Sequence, residues 1–144
     1  MLSFNKLMKA LIILLLIYNV AICQKVTHYN KYGSMEQKEK TSGNRTNFYD
    51  KYGNGTGYKV KNQKTIKFYN KYGSTVGYHR DNGKGKTNYY DKYGSSTGSE
   101  KATGNRTNYY DKYGSSTGYS VKKGDKIYIY NKYGSQEGSK KISE

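Results

Sequence analysis

The chain has 144 residues, with nineteen tyrosines and seventeen glycines but one cysteine, no proline and no tryptophan. It carries 26 basic against 10 acidic residues, a formal charge of +16. Aliphatic residues are scarce after position 23, which excludes a thick Leu/Ile/Val core. Two histidines and one cysteine exclude a closed zinc site.

Residues 1–23 differ from everything that follows. Lys6 and Lys9 give a positive start, Ala10 to Ile17 form a short apolar run, and Ala21-Ile22-Cys23 supplies small residues ahead of Gln24. That order predicts a secretory signal peptide cleaved near Cys23-Gln24, the run being short for a membrane span. The segment Val20-Ala21-Ile22-Cys23 loosely resembles the lipobox of bacterial lipoproteins, which would make Cys23 a lipidation site; Ile22 departs from the small residue usual there. Secretion or a place in the cell envelope is therefore expected. Removing Lys6 and Lys9 leaves 24 basic residues against 10 acids, about +14. A basic exported protein meets polyanions, glycans or the envelope surface; nothing in the chain points to a specific nucleic acid.

Residues 24–139 are six copies of one unit. Its core string, Tyr29-Asn30-Lys31-Tyr32-Gly33-Ser34, recurs from Tyr49, Tyr69, Tyr90, Tyr110 and Tyr130. The step is twenty residues except around Gly85-Lys86, where it is one longer. Ahead of each core string lies a β-favouring run such as Thr65-Ile66-Lys67-Phe68-Tyr69 or Ile127-Tyr128-Ile129-Tyr130. Asp or Asn then opens a turn closed by Gly33, Gly53, Gly73, Gly94, Gly114 or Gly134, where glycine accepts a positive φ without a Cβ clash. A second run follows, and Ser42-Gly43-Asn44 or Lys123-Gly124-Asp125 returns the chain. Residues 140–144 read as a C-terminal tail.

Each unit is thus a β-hairpin, and the expected fold is all-β: an antiparallel meander of about twelve short strands. An open twisted sheet or solenoid-like ribbon is the favoured form, with a closed barrel behind it. Strand alternation puts Phe48, Phe68, Tyr89 and Tyr109 on one face, and Tyr49, Tyr69, Tyr90 and Tyr110 on the other. A lone hairpin is marginal in water, so neighbouring units must complete one another, with the end units atypical as in a repeat array.

The segment from Gly104-Asn105-Arg106-Thr107 to Tyr110-Asp111-Lys112-Tyr113-Gly114 resembles the YD repeat of bacterial Rhs and teneurin-type proteins. The chain from 26 to 139 is more similar to small secreted bacterial proteins made of such hairpins. Asn stands for Asp at 30, 70 and 131, and no cargo-enclosing shell fits this length. The resemblance implies hairpin architecture. Tyr-Asp-Lys-Tyr-Gly strings also resemble trematode eggshell precursors, which implies crosslinking through oxidised tyrosine.

Catalysis requires convergent groups, and no constellation that breaks the repeat is evident. His28 takes the slot held elsewhere by Phe48 or Tyr89 and reads as a packed ring; Asp50, Asp91 and Asp111 read as turn formers. No enzyme activity, metal or cofactor is expected. The candidates for binding are the turn pairs Lys31-Tyr32, Lys51-Tyr52, Lys71-Tyr72, Lys92-Tyr93, Lys112-Tyr113 and Lys132-Tyr133. Lysine would pair anions and tyrosine would stack, on a polyanion, a glycan or a second copy of the chain.

Overall fold

A computed structural model describes residues 23–144, so the leader expected over 1–23 lies, but for Cys23, outside the described residues. The first two units give β1 (Gln24–Asn30) with β2 (Met35–Ser42), and β3 (Arg45–Asp50) with β4 (Gly55–Asn62). The next two give β5 (Thr65–Asn70) with β6 (Thr75–Asp81), and β7 (Lys86–Asp91) with β8 (Ser96–Thr103). The last two give β9 (Arg106–Asp111) with β10 (Ser116–Lys123), and β11 (Lys126–Asn131) with β12 (Gln136–Ser143). All neighbours pair antiparallel in chain order.

The sheet is closed, which corrects the expected open ribbon: β1 pairs with β12 from Lys25–Ser143 to Asn30–Gly138. The cause lies in a feature that every unit repeats. Within each hairpin the register slips by one residue, as between Phe48/Tyr49 and Gly55/Gly57, and between Tyr109/Tyr110 and Ser116/Gly118. Such a bulge bends its strand and sharpens the local twist. Six of them at one level curve the sheet until its edges meet, and closure removes both exposed edges. The end units are therefore a seam instead of caps. Residues 140–143, set apart as a tail in the sequence, lie inside β12 and pair with β1.

The six turns within units all fall at one mouth. In each, the first residue's side chain organises the backbone: Asp111 Oδ1 accepts from the Tyr113 and Ser115 amides at 2.9 and 2.8 Å. Asn30, Asn70 and Asn131 accept the same two amides at 3.0 Å, so Asn and Asp are equivalent here. The closing glycines have φ between 80° and 92°. The connections between units lie at the second mouth, and the unit of different length is absorbed there. Gly85 O accepts from Ala102 N at 2.8 Å, as Asn44 O does from Lys61 N and Asn105 O from Lys122 N.

Tyrosine ladders stand on the outer wall. Tyr58 stacks on Tyr69 at 4.7 Å, Tyr78 on Tyr90 at 4.8 Å and Tyr119 on Tyr130 at 4.9 Å. Arg45 and Arg106 cover Tyr58 and Tyr119 at 3.7 and 3.6 Å. Cross-strand pairs of this kind contribute up to about 1 kcal/mol each. The inside is not packed: among the described residues no hydrophobic side chain is buried. What holds the barrel is a closed ladder of main-chain hydrogen bonds, clad outside by aromatic and cationic side chains.

Candidate functional site

Two regions concentrate chemistry: the crown of turns at the first mouth, and the lumen behind it. Up-and-down topology brings all six sequence-picked Lys-Tyr pairs to that one rim. The tyrosines Tyr32, Tyr52, Tyr72, Tyr93, Tyr113 and Tyr133 are 78–81% exposed. Each neighbouring lysine, from Lys31 to Lys132, holds its Nζ 4.8–5.0 Å from that ring's centre. An exposed cation–π contact of this sort is worth about 0.5–1 kcal/mol and keeps the ammonium on the ring instead of letting it range freely. The carboxylates below are occupied by turn amides. Asp50 also accepts from Asn54 Nδ2, and these bonds hold its carboxyl below the ordinary aspartate range.

The lumen follows from strand parity. His28, Phe48, Phe68, Tyr89, Tyr109 and Ile129 point inward from the odd strands. Glu39, Lys59, His79, Glu100, Ser120 and Lys140 point inward from the even ones. All of these except Ser120 line a cavity of about 840 Å³. Beside them, nearer the crown, Gly57, Gly77, Gly98, Gly118 and Gly138 face inward at the bulges. A Cβ on Gly77 would stand 2.5 Å from Tyr90 O, closer than any side chain can approach the neighbouring strand.

Most polar groups in the lumen are engaged with one another. His28 Nε2 donates to Glu39 Oε1 at 2.6 Å, and Lys59 Nζ donates to Glu39 Oε2 at 2.8 Å. Burial pushes the Glu39 carboxyl up, but these two bonds and the Lys59 charge outweigh it and bring it down to about 2. Tyr89 donates to Glu100, and Tyr109 shares a hydrogen bond with Ser120 at 2.9 Å. Burial, then the Glu100 contact, raises the Tyr89 hydroxyl. His79 sits between Phe68 at 4.4 Å and Tyr89 at 4.1 Å, and burial lowers it, so the neutral ring is favoured.

Sequence reasoning missed this second region. His28 is a hydrogen-bonding partner and not merely a packed ring. The even-strand positions break the repeat, with four residue types over six places, while the turn strings barely change. The position two residues beyond the second glycine of a unit, or beyond Gln37 in the first, was the signal that could have exposed them. Comparison with known proteins finds no family model that matches the chain and no similar curated protein.

Proposed function

We propose that this is an exported, non-enzymatic interaction protein whose crown docks on polyanionic surface glycans. The observation that supports it is the six-fold crown: six lysines, each lying on an exposed tyrosine, arranged around one rim. Each site alone is weak. A chain of sulfated or carboxylated sugars spanning several of them gains from effective concentration, and avidity can exceed a single contact by about 10²–10⁴-fold. Tyrosine faces stack on sugar rings while the ammonium groups meet the anions. The basic balance of the chain favours the same partners over long range.

Retention on immobilised heparin at rising salt tests this reading. Replacing Lys51, Lys92 and Lys112 by Gln moves elution to clearly lower salt. Replacing Lys38, Lys67 and Lys101, three lysines of the outer wall, by Gln has a smaller effect. Equal shifts in the two triple variants would mean diffuse charge and reject the crown. Absence of retention at low salt would reject polyanion binding altogether.

A second reading, a tyrosine-crosslinked extracellular matrix protein, draws support from the exposure of the same six tyrosines, since oxidative coupling needs two accessible rings. Mass spectrometry of native material decides between them. DOPA or dityrosine at Tyr52, Tyr93 or Tyr113 favours the matrix; unmodified tyrosine throughout rejects it.

A further inference from the structure

We infer that the lumen is a binding site for a small planar molecule bearing an anionic group, such as an aryl carboxylate or sulfonate. Three observations converge on it. First, the space is of ligand size, about 840 Å³, where small-molecule sites span about 300–1,000 Å³. Larger barrels commonly enclose ligand cavities, and here the inward rings leave the space unfilled, with no hydrophobic side chain buried among the described residues.

Second, the wall is asymmetric although the repeat is not. Phe48, Phe68, His79 and Tyr89 form a continuous aromatic ribbon on β3 to β7, with successive ring centres 6.5, 4.4 and 4.1 Å apart. These rings lie largely face against face, so the ribbon turns their edges toward the lumen as an apolar wall for a flat guest. Aromatic pairs favour edge-to-face contact as well as offset stacking, so such a wall holds a planar guest.

Third, a cation faces the ribbon. In a ring of twelve strands β12 lies diametrically across from β6, which places Lys140 opposite His79. Lys59, the other cation of this ring, is engaged by Glu39. Lys140 has no carboxylate within ion-pairing distance among the described residues. At the second mouth Lys61 and Lys122 share the inward parity with Asp81. A guest lying against the ribbon thus has its charged end directed to Lys140, and Glu100 beside the ribbon disfavours the reversed orientation.

The test is a titration with 8-anilinonaphthalene-1-sulfonate, a planar aromatic anion, followed by its fluorescence in a chain without tryptophan. Saturable binding at one probe per chain is expected. Lys140→Gln weakens it about tenfold or more, Lys140→Arg restores most of it, and Lys38→Gln on the outer wall leaves it unchanged. Non-saturating binding, an unaltered Lys140→Gln variant, or equal loss in Lys38→Gln would each overturn the assignment. Proton NMR of the unmodified protein gives a readout independent of how the variants fold. The His79 imidazole signals must move by ring-current shift on saturation, and their staying in place would equally overturn it.

Discussion

The crown and the lumen ring sit on the same strands, yet they obey different rules. At the crown each unit solves its own problem: an Asx side chain, two amides and a left-handed glycine close the turn without help from another unit. Six units therefore carry nearly the same letters. In the lumen a side chain's partner comes from another strand or another unit, as when Glu39 meets His28 on one side and Lys59 on the other. Equivalent slots there need complementary residues, so identity is lost where contact is gained. A repeat protein can thus keep a uniform rim and still build a single, asymmetric interior.

Glycines give the strongest way to break this contrast. Gly77→Ala drives a Cβ toward Tyr90 O and must part β6 from β7 beside the bulge on which curvature depends, so a loss of about 3 kcal/mol or more is expected in thermal or urea melts. Gly53→Ala at the crown meets open space and strains only a positive φ, for about 1 kcal/mol. Equal losses would show that bulge and turn matter alike, against the closure mechanism.

Next in size is Glu39→Gln, whose carboxylate is 12% exposed and holds His28 and Lys59. Its loss leaves Lys59 unpaired and is expected to cost about 2 kcal/mol by chemical denaturation. The pH dependence follows with its sign. A carboxyl at about 2 in the folded chain, against 4.5 unfolded, contributes stability that is present above pH 4.5 and lost as pH falls toward 2. After solvent screening this amounts to about 1–2 kcal/mol. The lowered His79 acts in the same direction, because its protonation below pH 6.5 binds the unfolded chain better. Urea midpoints measured from pH 7 down to 3 should fall in the parent and fall less in Glu39→Gln.

Smaller effects sharpen the crown. Asp111→Ala removes both side-chain bonds of its turn, for about 1 kcal/mol, whereas Asp111→Asn is neutral because Asn131 already does the same work one unit away. Smallest is Tyr113→Ser, which removes an 81% exposed ring and is expected to stay within about 0.5 kcal/mol in a thermal melt. Heparin retention, not stability, is where Tyr113→Ser should be felt.

Much of the architecture was legible in the letters. Asp111, Lys112 and Gly114 mark a turn whose bonds span four residues, and Phe68 beside Tyr69 marks two faces because a strand alternates every residue. The lumen was not legible, because Glu39, His79 and Lys140 lie in separate units and look like stray departures from the repeat until the strands are laid side by side. Nor could the turn lysines be seen as a ring while the sheet was expected to stay open.

Strands, turns and the division of side chains between two faces thus follow from local chemistry, since each depends on residues a few positions apart. Closure depends on the sum of six small bends and on β1 meeting β12, whose Lys25 and Ser143 are 118 positions apart. No single unit encodes that sum. Only when it reaches one full turn do the tyrosine–lysine turns become a crown and the irregular slots become the wall of one cavity.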